Sequence, residues 1–224
     1  MSAMLVLVIV VLAVAADAIR LAVKRRRNKS RVAGAPVTPF VRANPPRGFF
    51  LDGGHTWIRL TDAGELRVGV DELLSQALGG ADRVELPRLG TKVRRGEPLA
   101  VLWRQGRKLA IASPVEGTIV TSNDGLDTMP GDVFTDPYGS GWLTSLWPTD
   151  HRQALNVFTL GEAGQRWMER EIHRFSEFLA AHGAGGSNLA LAADGAHPAV
   201  GAALALQDES WSEFQREFAS SREA

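Results

Sequence analysis

The chain has 224 residues, 45% hydrophobic and 22% charged, with 25 bases against 25 acids and no cysteine. That length holds one domain of ordinary size plus appendages, and the missing cysteines exclude a disulfide framework, thiolate metal and iron–sulfur sites and a cysteine nucleophile. The zero net charge conceals a gradient: residues 1–47 carry nine bases and one acid, 48–160 eleven and fourteen, 161–224 five and ten, so a basic head leads through a near-neutral middle to an acidic tail.

Residues 3–16 are uncharged, and apolar character continues to Val23 with only Asp17 and Arg20 interrupting it. As a helix at about 1.5 Å per residue, residues 3–23 reach roughly 30 Å, the thickness of a hydrocarbon core. Lys24-Arg25-Arg26-Arg27 and then Lys29 and Arg31 follow directly. A cleaved signal peptide competes with this reading, because Ala13-Val14-Ala15 has the small-x-small form. No base precedes Met4, however, and the bases on the far side predict a single-pass inner-membrane anchor whose remaining chain lies on the cytoplasmic face. Residues 24–47, with Pro36, Pro39, Pro45 and Pro46, read as a basic, Pro-rich linker in extended geometry.

Residues 48–150 change to short β-type runs punctuated by Gly and Pro, at 56–60, 66–70, 83–86, 99–103, 108–112, 118–122 and 142–146. Many short strands with turn signals predict a small sandwich or barrel. Gly90-Thr91-Lys92-Val93 is echoed by Gly117-Thr118-Ile119-Val120, and Gly96-Glu97-Pro98-Leu99 by Gly131-Asp132-Val133-Phe134, which suggests two interlocked halves related by a pseudo-two-fold. Between them lies a hairpin with Arg104-Gln105-Gly106-Arg107 at its tip.

His55-Thr56-Trp57-Ile58, Val84-Glu85-Leu86-Pro87, Gly96-Glu97-Pro98, Ser113-Pro114-Val115 with Gly117, and Asp136-Pro137-Tyr138-Gly139-x-Gly141-Trp142-Leu143 resemble the glycine cleavage system H protein. The resemblance covers about 100 residues in order, almost without gaps. It implies a mainly β barrel-sandwich hybrid, the biotinyl/lipoyl hammerhead, closed by a C-terminal helix. It also implies a lysine at the tip of the central hairpin, which in that family carries lipoate and shuttles an aminomethyl group between partner enzymes.

That lysine is absent. The residues from Gly96 to Pro114 have the family's length, and the position falls on Gly106; the family's Glu three residues earlier is Trp103. Lys108 stands two positions late, about 6–7 Å along a strand, where a ligase that reads the tip should not find it. Gln105-Gly106 reads as a turn tolerating positive φ. No cofactor is therefore expected, with lipoate on Lys108 as the alternative.

Other site signals are weak. His55 is expected to be a satisfied structural histidine rather than a ligand; the five histidines lack metal-binding spacing; Asp124, Asp127, Asp132 and Asp136 read as solvated turn residues. Phosphate loops, dinucleotide fingerprints and nucleophile elbows are missing, and the acids around Arg94, Arg95, Arg104, Arg107 and Lys108 argue against nucleic acid. Neither a catalytic site, a metal nor a small-molecule substrate is expected.

Residues 162–182 predict a helix, with Met168, Ile172, Phe175 and Leu179 on one stripe and Gly183 ending it; the region 151–186 forms the domain's C-terminal helix. Beyond it, residues 187–224 form an acidic helical tail with pieces at 187–193, 198–207 and 210–218, the last opening on a capping-box spacing, Ser210-x-x-Glu213. Trp211, Phe214 and Phe218 line up on that helix. Packing back onto the barrel is the plainer reading; docking into a partner is the one predicted, on the argument that strands and the 162–182 helix already close the barrel's own faces. The sequence thus predicts a membrane-anchored, non-enzymatic H-protein-like domain without lipoate, a scaffold or accessory subunit for a protein partner; the alternative is a lipoyl carrier of the glycine cleavage type.

Overall fold

Alternation of apolar and polar residues makes the strands, and the computed structural model describes residue 40 and residues 45–152, 161–183 and 198–220. Among these residues nine strands form two antiparallel sheets. The first contains β1 (Phe50–Leu51), β2 (Thr56–Leu60), β3 (Leu66–Val70), β9 (Thr144–Pro148), β8 (Gly117–Ser122) and β5 (Lys92–Val93) in that spatial order; the second contains β4 (Arg83–Glu85), β6 (Pro98–Arg104) and β7 (Arg107–Ala112). The architecture is mainly β with C-terminal helices, as expected. The first echoed pair lies antiparallel, with Lys92 opposite Thr118 and Val93 opposite Gly117, the pairing a local two-fold produces; the second does not pair, because Pro98 opens a strand whereas Asp132 opens a helical turn.

Two cores result. Ile58, Leu66, Val68, Val93, Leu99, Val115, Ile119 and Leu146 fill the smaller one. The larger combines Trp57 and Val70, Ala100, Leu102, Leu109 and Ile111 of the second sheet, and aromatics from the helices. A register shift between Pro98 and Ala100 lets Leu99 serve the small core while Ala100 and Leu102 serve the large one, as a bulge re-aims successive side chains.

Among the described residues four helices complete the unit. Helix α1 (Glu72–Leu78) has no counterpart in the sequence reading; its N-cap Asp71 accepts from the Leu74 N–H, and Gly79 closes it at φ +69°, the left-handed stop that glycine favours. Helix α2 (Asp132–Thr135) is a single turn. Helix α3 (Gly161–His182) matches its predicted span within one residue and buries Met168, Phe175 and Leu179. A 3-10 turn at Ala202–Ala205 replaces the helix predicted over 198–207. Helix α4 (Asp208–Phe218) starts two residues early: Gln207 occupies its N-cap without a side-chain bond, so Ser210 lies inside the helix and the capping box does not form.

The predicted span at residues 3–23, most of the linker and the segment at 187–193 lie outside the described residues. Among the described residues no helix is long and apolar enough to cross a membrane. Phe40, assigned to the linker by composition, is buried and stacks on Phe175 at 5.8 Å.

Candidate functional site: the central hairpin and its cover

The hairpin's shape follows from a two-residue connection. Arg104 pairs with Arg107, Trp103 with Lys108 and Leu102 with Leu109, leaving Gln105 and Gly106 as the turn at φ +49° and +81°. Two successive positive φ values match the right-handed twist of the strands. A β-carbon on Gly106 would meet no atom within 4 Å, so conformation rather than space favours glycine there. The strain at Gln105 is offset by Asp82, which accepts from the Gln105 N–H at 2.7 Å and from the Arg104 guanidinium at 2.6 Å. The Gln105 bond, with Arg104 assisting against partial desolvation, holds the Asp82 carboxyl below its usual range.

Helix α4 secures the other side. Strand β7 is a sheet edge, and residues 108, 110 and 112 turn their backbone groups away from β6. The Trp211 indole N–H donates to the Lys108 carbonyl at 3.3 Å, Gln215 lays its side-chain amide against Lys108 and Ala110, and the Ala112 N–H donates to the Ala219 carbonyl at 3.3 Å. Arg107 donates to the Leu206 carbonyl, pairs with Asp208 at 3.4 Å and lies over the Trp211 ring at 5.0 Å. An open edge is a template for another strand, and here the chain's own C-terminal segment occupies it.

This placement corrects the expectation that Trp211, Phe214 and Phe218 dock into a partner. Trp211 is 6% exposed, Phe214 and Phe218 fully buried, in one aromatic cluster with Phe175 and Phe178 at ring separations of 5.4–6.4 Å. The second sheet and α3 leave an apolar surface that α4 fills; each ring so buried contributes roughly 1.5–3 kcal/mol. The barrel's faces are closed by these side chains rather than before them.

A buried ion chain ties this cover to the barrel. His55, fully buried at φ +56°, places Nδ1 2.7 Å from Asp71 Oδ2 and Nε2 3.3 Å from Glu171 Oε2. Glu171 continues to Arg174 at 2.5 Å, and Arg174 lies over the Phe218 ring at 4.0 Å and donates to the Glu217 carbonyl. Burial opposes the charge on His55 but is outweighed by Asp71 and then Glu171, raising the imidazole to about 9. Glu171, despite desolvation, is pulled down to about 2 by His55 and Arg174. His55 is thus a core histidine hydrogen-bonded through Nδ1 to Asp71, whereas Nε2 has Glu171 beside it at ion-pair distance but makes no hydrogen bond. Its partner on α3 escaped the sequence reading because nothing local links two residues so far apart.

Chemically, the hairpin offers little. Lipoate is held through an amide to a primary amine, and Gly106 supplies none, so the apex does not fit that group. Lys108 is exposed on a strand face, opposite Trp103, whose ring lies beneath Arg83 at 4.6 Å. Among the described residues no group of three or more His, Asp and Glu is placed to hold a metal ion. Asp136 accepts from the Gly139 and Ser140 N–H groups, as a turn residue does.

Comparison with known proteins gives a consistent family. The family model described as "Glycine cleavage H-protein" matches residues 50–170. Among curated relatives, a glycine cleavage system H protein of Myxococcus xanthus is 36% identical over 99 residues, 44% of this chain and 76% of the relative. One from Shewanella loihica is 34% identical over 115 residues, 51% of this chain and 89% of the relative. A crystal structure of a glycine cleavage system H protein from Mycobacterium marinum superposes with a TM-score of 0.47 at 28% identity, covering 57% of this chain and 98% of that one.

Proposed function

The chain belongs to the glycine cleavage H-protein family, and from that premise we propose that it is a non-lipoylated member, anchored in the inner membrane through residues 3–23 and acting as a scaffold or accessory subunit on the cytoplasmic side. It performs no chemistry of its own and binds a protein partner. The observation that carries this reading is Gly106 at the apex where the family's resemblance places the lipoyl lysine. Support comes from the surroundings: Asp82 and Arg107 tether both flanks of the turn, and α4 lies along the hairpin's outer strand. A lipoyl arm needs an amine at the apex, and Gly106 supplies none.

The second reading is a lipoyl carrier of the glycine cleavage type modified at Lys108, favoured by the exposure of that side chain and by the relatives' names. Incubating the full chain with a lipoyl ligase and lipoate, beside an ordinary H protein as positive control, separates the two. The proposal expects modification of the control alone; lipoate on Lys108 establishes the second reading. A reporter fused after Ala224 tests the anchor and is expected to lie in the cytoplasm. A mature chain beginning near Ala16 in the periplasm would mark a cleaved signal instead.

A further inference from the structure

Three of the five large apolar side chains exposed among the described residues gather on one region of the first sheet: Leu89 at 65%, Trp147 at 50% and Val120 at 37%. Alternation puts them there. Leu146 and Ile119 point into the small core, so Trp147, its opposite number Thr118 and the next partner Lys92 form a row across the outer face. Val120 sits at a register shift between Ile119 and Thr121. The turn bearing Leu89 is docked beside it by Gly90 N–H to Ile119 carbonyl at 2.8 Å and Ile119 N–H to Thr91 carbonyl at 2.9 Å. Gly64 and His151 pack against the Trp147 ring, which is still half exposed.

Bases surround this patch. Between Glu85 and Glu97 the chain carries Arg88, Lys92, Arg94 and Arg95 with no acid. Arg95 is engaged by Asp52 at 2.9 Å, whereas Arg88, Lys92 and Arg94 are exposed and make no side-chain ion pair among the described residues. Glu97 and Glu116 line the neighbouring cleft, the first accepting from the Arg94 backbone N–H at 2.8 Å and the second from the Thr149 hydroxyl at 3.3 Å, and the three bases outnumber these two acids.

We infer that this face, with Trp147, Val120 and Leu89 ringed by Arg88, Lys92 and Arg94, rests on the interfacial region of an anionic bilayer. Tryptophan prefers the headgroup level, an exposed leucine and valine gain by entering the acyl boundary, and unpaired bases are attracted to anionic headgroups. The inference rests on the proposed anchor, because the chain between residue 24 and Phe40 spans at most about 50–60 Å when extended. That bound keeps the sheet within reach of the same surface and raises its local concentration there.

The absence of cysteine permits a direct test with the full chain. Leu89→Cys carrying an environment-sensitive fluorophore is reconstituted into vesicles of phosphatidylcholine alone or with phosphatidylserine, with Glu177→Cys on exposed α3 as reference. The expected result is a blue-shifted emission at position 89, quenched by lipid-borne nitroxide, only with phosphatidylserine, and water-like emission at position 177 throughout. Combining Arg88→Glu, Lys92→Glu and Arg94→Glu returns position 89 to water-like emission while circular dichroism stays unchanged. Water-like emission from position 89 on phosphatidylserine vesicles overturns the inference and points to an acidic protein surface as the occupant. Flotation with phosphatidylcholine vesicles reads the anchor separately: a chain that fails there has no anchor, and its label on anionic vesicles still decides the face.

Discussion

The hairpin and the Trp147 face are both outward surfaces of one β framework, yet the chain treats them oppositely. At the hairpin the exposed edge of β7 is closed by α4, its polar backbone groups matched by Trp211, Gln215 and Ala219 and its apolar flank by Phe214 and Phe218. On the other face Trp147, Val120 and Leu89 stay open, with bases around them. The covering residues all follow residue 170, where the family match ends. What the C-terminal extension adds is therefore a cover along the hairpin's outer strand, while the Trp147 face is left exposed.

The strongest way to break this contrast is to open the cover. Phe218→Ala removes a fully buried ring from the cluster with Phe175 and Phe178 and should cost about 3–5 kcal/mol, read as a large fall in the urea midpoint. An unchanged midpoint would return the tail to solvent or to a partner.

The ion chain beneath the cover gives a pH-dependent version of the same test. A histidine raised to about 9 when folded, against about 6.5 when unfolded, stabilises fully below about pH 6.5. That contribution falls as pH rises toward 9 and is lost above it, amounting to about 3 kcal/mol. Glu171 acts in the other direction, with stability present above about pH 4.5 and lost as pH falls through about 2. Urea midpoints between pH 6 and 10 should decline in the native chain, and His55→Gln should remove the decline. A parallel decline in both would place the titrating group elsewhere.

Arg107→Ala sharpens the comparison at the hairpin alone. It removes the contact with the Trp211 ring and the bond to the Leu206 carbonyl, a loss of about 2 kcal/mol. Amide exchange at Ala110 and Ala112 should accelerate while that at Ile119 beside the open face stays as it was. Gly106→Lys is the mildest change: the site has room, so only the positive φ costs, about 1 kcal/mol. The substitution restores an amine at the apex, and the variant should accept lipoate from a ligase where the native chain does not.

Much of this was legible in the sequence because it is local. Short β-type runs set off by Gly and Pro located seven of the nine strands found among the described residues, the Gln105-Gly106 pair announced its turn, and the stripe from Met168 to Leu179 gave α3. Strands β1 and β5 have two residues each, too few for alternation to register. Helix α1 carried readable signals, Asp71 before it and Gly79 after it, but its seven residues lie between β-type runs that dominate the local pattern. The direction in which Trp211, Phe214 and Phe218 face was not readable, since the stripe says only that they must be covered and the covering surface comes from β7 and α3. The open face was hidden for the converse reason: Leu89, Val120 and Trp147 are scattered along the chain and meet only through the pairing of β8 with β9 and the docking of the turn before β5.

Whether this family member carries lipoate is decided by intact mass spectrometry of the full chain purified from the cells that make it. A single species at the unmodified mass, unreactive to anti-lipoyl antibody, is expected. A species heavier by one lipoyl group, mapped to Lys108 by peptide sequencing, would contradict it.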